Sequence, residues 1–211
     1  MLNINQNTKM IKNQNQLGAI YMTLSVLFFC FMDILIKITH EYDVGQVMFS
    51  RAIFGLIPIF FLIPKEKFKD FYKTKHASLH FYRSFVGAIA MYAIFIGLRN
   101  LELAEVTSMA FSGPIWVVIF SILFLGEKVR ARRWIAVGLG FIGVLIISKP
   151  GFDNLNLYYI YPVIFTLGFA GVSIFIRKLT LAGEPVYLIA FYFSVCSAIF
   201  GLFTLPFGGW S

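Results

Sequence analysis

Seven long apolar stretches follow one another along the chain, separated by short polar segments. A helix needs about 20 apolar residues to cross roughly 30 Å of hydrocarbon. The stretch 134–148 is shorter, but Trp134 and the flanking cations allow it to span by snorkelling. The pattern therefore predicts an all-α polytopic membrane protein with seven transmembrane helices: 17–39, 44–63, 79–98, 106–125, 134–148, 155–176 and 186–206.

The composition excludes the soluble classes of protein. Hydrophobic residues make up 59% of the 211 residues and charged residues 13%, against about 45–50% and 25% in soluble domains. The net charge of +8 does not indicate a nucleic-acid partner, because the cations lie in short loops instead of on a soluble surface. Cys30 and Cys196 lie inside apolar stretches and match no metal spacing, so we expect a lipid bilayer around the chain, and no metal or other cofactor.

Lysine and arginine are distributed unequally between alternate loops. Thirteen of the 18 lie in the amino-terminal tail and the second, fourth and sixth loops, whereas only Lys37, Arg99 and Lys149 flank the others. Cytoplasmic loops collect positive charge, which predicts a cytoplasmic amino terminus with residues 1–16 as a polar cytoplasmic tail. Omitting the fifth helix would move Arg177 and Lys178 outside, so the charges also favour seven helices.

A short internal repeat predicts the architecture. The segment ILIK at 34–37 faces IFIR at 174–177 at an offset of 140 residues, each near the end of an apolar helix. The first and sixth helices run in opposite directions, so a five-helix repeat must be inverted, as in alternating-access carriers. A complete second repeat would end near residue 289, beyond Ser211. We therefore expect a ten-helix (5+5) fold without its last three helices, with a first repeat at 17–149 and an incomplete second at 150–211.

The run TSMAFSGPIWVVIFSILFLGEKVRARRWIAVGLGFIGVLII, from Thr107 to Ile147, carries a family resemblance. A small-residue helix with Pro114 at mid-span is followed by the LGEK turn at 125–128, a basic link and a glycine-rich helix. This order resembles the EamA-type family of the drug/metabolite transporter superfamily, and the resemblance covers residues 17–206. The opening of the chain and its FMDILIK segment are similar to the S-adenosylmethionine uptake transporters of obligate intracellular bacteria.

The resemblance implies ten helices in two inverted repeats and a small-molecule substrate. It implies a carrier of the bacterial inner membrane that imports S-adenosylmethionine by alternating access, with exchange for S-adenosylhomocysteine as one mode. An EamA-type exporter of amino acids or related metabolites, an inactive truncated transporter and assembly as a homo-oligomer stay open. An enzyme is not expected, since the chain contains no HExxH, GxSxG or paired carboxylates.

Two charged residues at membrane depth are candidates for substrate binding. Asp33 lies about six residues, or roughly 9 Å, below the outer end of the first helix, where a carboxylate is costly in lipid. It either attracts a cationic substrate or is neutralised by Lys37 or Arg51. Arg51 lies at a similar depth and either pairs with Asp33 or binds a substrate carboxylate with both arms of its guanidinium.

Two further charged residues have structural interpretations. Arg83 lies close to the second loop, and we predict that it snorkels into the headgroups. Glu127 precedes four cations in the fourth loop, and we predict that it forms ion pairs that fix this turn.

The fourth helix combines hydroxyls with a proline. Ser108, Ser112 and Trp116 follow one another at spacings of four and would share one helix face. Pro114 cannot donate to the carbonyl of Ala110, so a kink is predicted. This face either lines a cavity or packs against another helix, since serine is common at both places.

Aromatic side chains complete the candidate site. A sulfonium and an adenine ring suit cation–π contact and stacking, although lipid-facing and core positions use the same residues. The residues predicted to bind substrate are Asp33, Arg51, Tyr92, Ser108, Phe111, Ser112 and Trp116.

Overall fold

The computed structural model describes residues 2–127, 130–148, 157–204 and 206, and their regular structure is entirely helical. Short 3₁₀ turns at Lys65–Lys67 and Leu157–Tyr159 accompany the helices. The helices are α1 (Leu2–Ile38), α2 (Val44–Leu62), α3 (Ala77–Asn100), α4 (Leu103–Ala110), α5 (Gly113–Leu125), α6 (Ala131–Ser148), α7 (Ile160–Leu181) and α8 (Val186–Phe203).

Six helical segments of the described chain are long and apolar enough to cross a membrane. Each overlaps a predicted span, and the segments are Gln16–Ile38, Val44–Leu62, Ala77–Asn100, Leu103–Leu125, Leu157–Leu181 and Val186–Phe203. The remaining predicted span, 134–148, lies in α6 (Ala131–Ser148), which is not among these six segments. These helices make a multi-pass membrane protein, and the seventh crossing stays a prediction.

Helices α1 and α7 extend furthest beyond their predicted bounds. Helix α1 begins at Leu2 instead of near residue 17, because the polar segment contains no glycine or proline to stop it. Helix α7 continues to Leu181, past the predicted end at 176. It ends there because Gly183 adopts a left-handed conformation, with φ of +80°, which turns the chain out of the helix.

The fourth span is broken at its proline, as predicted. Helix α4 ends at Ala110 and α5 begins at Gly113, with Pro114 in its first turn. The hydroxyl of Ser112 donates to the carbonyl of Met109 at 2.7 Å, which partly replaces the backbone bonds lost at the break.

Helix α1 lies in a unit of its own, Met1–His40, and the other helices form a second unit, Glu41–Ser211. Within the second unit, α3 packs against α7 and α8, and α2 packs against α8. Small residues allow these helices to approach closely. A Cβ atom at Gly168 would lie only 2.7 Å from the Cβ of Ala90, and one at Gly201 only 2.7 Å from the carbonyl oxygen of Gly45.

The loop between α2 and α3 folds back onto α2 and α8. The ring of Phe71 lies 4.9 Å from that of Phe191 and 6.0 Å from that of Phe60, centroid to centroid. In the same loop Lys73 donates to Asp70 at 2.7 Å. This hydrogen bond raises the pKa of Lys73.

Candidate functional site

A cavity of about 150 Å³ lies in the seam between α2, α3 and α8. Contacts between α2 and α8 lie on either side of it along the seam. Gly45 meets Gly201 at one end, and Phe60 approaches Phe191 to 6.5 Å between ring centroids at the other. The residues that line the cavity are Arg51, Ala52, Gly55, Met91, Phe193, Ser194 and Ser197.

Arg51 brings a positive charge to the cavity wall. Its Nη1 atom donates to the thioether of Met91 on α3, so the guanidinium reaches across the seam. Gly55, one turn further along α2, leaves the space in front of Ser194 open, since a Cβ there would lie 3.9 Å from the serine hydroxyl. Arginine and hydroxyl groups thus face one space within an apolar bundle.

Arg83 stacks on an aromatic ring of the helix bundle, and its snorkelling into the headgroups stays a prediction. Its guanidinium carbon lies 4.2 Å from the ring centroid of Phe193 on α8, a distance at which a cation and an aromatic face attract each other. Gly87 makes room for this arrangement, because a Cβ there would lie 2.9 Å from the Phe193 ring. The buried Nε and Nη1 atoms of Arg83 have no acceptor among the residues that the structure describes.

Two buried serines accompany Arg83. Ser84 on α3 is 2% exposed and Ser197 on α8 is 1% exposed. Neither hydroxyl has a hydrogen-bond partner within the described parts of the chain. Buried polar groups are usually satisfied, and helical serines commonly donate to a preceding carbonyl. These two hydroxyls are therefore exceptions among buried polar groups. Ser197 is also part of the cavity wall.

Of the predicted site residues, Arg51 lines the cavity. Tyr92 lies on α3 and contacts the edge of Phe200 at 5.7 Å between ring centroids. Asp33 lies on α1, in the unit described separately, so its predicted pairing with Arg51 stays a prediction.

The predicted residues of the fourth span do not line the cavity. The break in the span interrupts the spacing of four on which their common face depended. Ser108 is buried and donates to the carbonyl of Ala104, and Ser112 donates to Met109 as described above. Phe111 is exposed at the break, and Trp116 lies on α5.

A second polar cluster lies where α3 and α8 begin. His80 is completely buried, and its Nε2 lies 3.5 Å from a carboxylate oxygen of Glu184. Thr74 donates to the other oxygen at 2.5 Å. The imidazole stacks on Tyr192 at 4.7 Å, and the Tyr192 hydroxyl donates to the carbonyl of Tyr72 at 2.8 Å. Sequence reasoning missed this cluster because its members come from two loops and two helices far apart in the chain.

Glu127 forms an ion pair, as predicted, but its partner Arg177 lies on α7 and not among the cations of its own loop. Arg177 on α7 donates to it at 2.8 Å through Nη1 and makes a second close contact through Nη2. The neighbouring Lys128 lies outside the described residues.

Several known transporters are similar to this chain. The S-adenosylmethionine uptake transporter of Rickettsia felis is 26% identical over 77% of this chain and 54% of its own length. The pseudopaline exporter of Pseudomonas aeruginosa is 27% identical over 83% of this chain and 62% of its own length. The riboflavin transporter of Brucella anthropi is 29% identical over 56% of this chain and 42% of its own length.

The chain spans about half the length of these curated relatives, and no solved structure matches it. A family match covers most of the chain: residues 16–149 match the EamA-like transporter family. The resemblance that the sequence carries is thereby confirmed. With its apolar helices and transporter relatives, the chain belongs to the EamA-like transporter family, which comprises transporters and not enzymes.

Proposed function

We propose that the chain imports S-adenosylmethionine across the bacterial inner membrane by alternating access, with exchange for S-adenosylhomocysteine as one mode of coupling. The observation that carries the proposal is the cavity in the α2–α3–α8 seam, where Arg51 and two serines face an aromatic ring. S-adenosylmethionine has a carboxylate for the arginine and an adenine ring for aromatic contact. The uptake transporters among the relatives support this substrate.

The packing of α2 against α8 supports an inverted repeat. At an offset of 140 residues, α2 would correspond to 184–202, close to α8 at Val186–Phe203. The two helices run antiparallel, because Gly45 meets Gly201 at one end and Phe60 meets Phe191 at the other. Equivalent helices of an inverted repeat have this relationship. A ten-helix arrangement of two such repeats remains part of the proposal.

The two ends of the seam suit alternating access. The cavity lies between a glycine contact and an aromatic contact, and separating either one would widen the access to it from one end of the bundle. Its volume of about 150 Å³ is below the roughly 300 Å³ of pockets that enclose a whole drug-sized ligand. In this conformation it would therefore hold one end of the substrate.

Uptake of labelled S-adenosylmethionine tests the proposal directly. Bacterial cells would express the 211-residue chain, a version extended to ten helices, or neither, with membrane abundance measured for each. Uptake by either version above empty cells would support the substrate, and uptake by the shorter one would show that its helices suffice. If both versions reach the membrane and neither takes up substrate, the import proposal fails.

The alternative is export of amino acids or related metabolites. The pseudopaline exporter among the relatives matches a larger share of this chain than the uptake transporter does, so direction does not follow from similarity. Preloading the same cells with labelled amino acids and following their loss distinguishes the two proposals, because an exporter accelerates loss and an importer of S-adenosylmethionine does not.

A further inference from the structure

Buried donors without acceptors lie on α3 and α8, two of the helices that line the cavity. Arg83 contributes Nε and Nη1, and Ser84 and Ser197 contribute their hydroxyls. A guanidinium has only donors, and no side-chain rotation can turn it into an acceptor. A buried cation in a membrane protein usually faces a cavity or a partner. A ligand that supplies oxygen acceptors would satisfy this group.

Two of these donor residues, Arg83 and Ser197, adjoin the cavity. Arg83 lies against the ring of Phe193, which is part of the cavity wall. Ser197 follows Phe193 by four residues on α8, so both lie on the same helix face. Arg51 adds a second cation from α2.

Two arginines lie at or beside the cavity. The described residues that line the cavity include Arg51 and no aspartate or glutamate, and Arg83 adds a second positive charge beside Phe193. Charge interactions are much stronger in a low-dielectric interior than in water. The buried Nε and Nη1 of Arg83, which have no acceptor in the described parts of the chain, therefore favour an anionic group beside the cavity.

We infer that Arg83 and Ser197, together with Arg51, form a subsite for the carboxylate end of the substrate. Arginine suits this role because its planar fork matches a carboxylate. Ser197 would donate a further hydrogen bond from its buried hydroxyl, and Phe193 holds the Arg83 guanidinium in place. The inference deepens the proposed function and rests on it for the identity of the ligand, S-adenosylmethionine.

The native Cys196 offers a binding assay that needs no transport. It precedes Ser197 and interacts electrostatically with Arg83, so a ligand in the subsite should slow its alkylation. Cys30, the other cysteine, is replaced by serine so that only one thiol reacts. The purified chain is titrated with S-adenosylmethionine and with decarboxylated S-adenosylmethionine, which keeps the sulfonium and the adenine. The concentration of half-protection is compared, because substitution of Arg83 also changes the intrinsic reactivity of the thiol.

The expected result separates the two ligands. S-adenosylmethionine protects Cys196 at a concentration at least about tenfold lower than its decarboxylated form, since hydrogen bonds to charged groups are the strong ones. Arg83→Gln raises the half-protecting concentration of S-adenosylmethionine at least about tenfold and leaves that of the decarboxylated form unchanged. Arg83→Lys, which keeps the charge without the fork, gives a smaller loss. Ser197→Ala barely alters the packing. It raises the half-protecting concentration of S-adenosylmethionine and leaves that of the decarboxylated form unchanged.

The exposed Arg130 supplies the matched control. In Arg130→Gln, S-adenosylmethionine should protect Cys196 at the same concentration as in the parent. Equal protection by the two ligands, or an equal loss for both in Arg83→Gln and Ser197→Ala, would overturn the subsite. Absence of protection by S-adenosylmethionine would contradict the proposed substrate alone. In that event L-methionine and L-methioninamide are compared in the same assay. Protection by the acid but not the amide supports the subsite, whereas no difference between them refutes it.

Discussion

Glu184 links two loops and a helix through one carboxylate. Its oxygens contact Thr74 and the buried His80, and its side chain is 10% exposed. We expect Glu184→Ala to lower the free energy of unfolding by about 1–3 kcal/mol, because it removes the acceptor of the Thr74 hydroxyl and the carboxylate beside the buried His80. Unfolding in mixed detergent micelles measures this change.

Glu127→Ala is the matched control for that substitution. Glu127 also pairs with a basic side chain, but it is 24% exposed and its partner Arg177 is 46% exposed. Exposed pairs contribute about 0–1 kcal/mol, so the loss should be smaller than for Glu184→Ala. Equal losses would show that the Glu184 cluster adds no more stability than a surface ion pair.

Asp33 is proposed to attract the positive charge of the substrate. We expect Asp33→Asn to reduce uptake of S-adenosylmethionine more than it reduces the amount of protein in the membrane, because the amide keeps the shape of the side chain and removes its charge. Asp70→Asn changes an exposed loop carboxylate and should alter neither quantity. Parallel decreases of uptake and abundance in Asp33→Asn would assign this residue to folding.

The sequence shows the depth of a charged residue in a helix but not the neighbour that it faces. Arg51 could be proposed as a cavity residue because seven residues separate it from the start of its helix. The partner of Arg83 was not predictable, because Phe193 lies more than 100 residues further along the chain. Gly87, which admits that ring, is one of 17 glycines and carries no local sign of its role.

Gly168 marks the closest approach of α7 to α3. The Cβ of Ala90 and the position of an added Cβ at Gly168 would be 2.7 Å apart, and Ala90 is held by its backbone. We expect Gly168→Ala to destabilise the protein, because overpacking costs about 1–3 kcal/mol and exceeds the roughly 1 kcal/mol that alanine gains in a helix. The free energy of unfolding in micelles measures the balance.

Gly171→Ala on the same helix provides the comparison. An added Cβ there meets Val86 at 3.7 Å, an ordinary contact, so the helix propensity of alanine should leave stability unchanged or raised. If Gly168→Ala were as stable as Gly171→Ala, the two helices would have room to separate and close packing would not limit this interface.

The helices themselves were largely predictable because hydropathy reports membrane crossings directly. The break at Phe111–Ser112 was also predictable, since Pro114 removes a backbone donor wherever it lies in a helix. The additional turns of α1 were not, because the polar segment before Gln16 has no membrane signal and its length as a helix depends only on weak propensities. Which helices pack together depends on shape, and the cavity between α2, α3 and α8 therefore required the structure.

The distribution of charge predicts how the whole molecule lies in the membrane. Lys73 belongs to a basic loop expected in the cytoplasm, and Asn100 ends α3 on the opposite side. In a background without Cys30 and Cys196, an impermeant maleimide should label Asn100→Cys in intact spheroplasts. It should label Lys73→Cys only after permeabilisation. The reverse pattern would place the amino terminus outside.

Whether α6 crosses the membrane decides the orientation of everything that follows it. The helix has 18 residues, or about 27 Å at 1.5 Å per residue, close to the roughly 30 Å of the hydrocarbon. If α6 crosses, the loop after α7 returns to the side of Lys73, in agreement with the cations Arg177 and Lys178. We therefore expect the exposed Ala182→Cys to be protected in intact spheroplasts, as Lys73→Cys is. If Ala182→Cys is labelled together with Asn100→Cys in intact spheroplasts, α6 does not cross, and α7 and α8 run opposite to the predicted direction. The first and sixth predicted helices would then run in the same direction, which contradicts an inverted five-helix repeat.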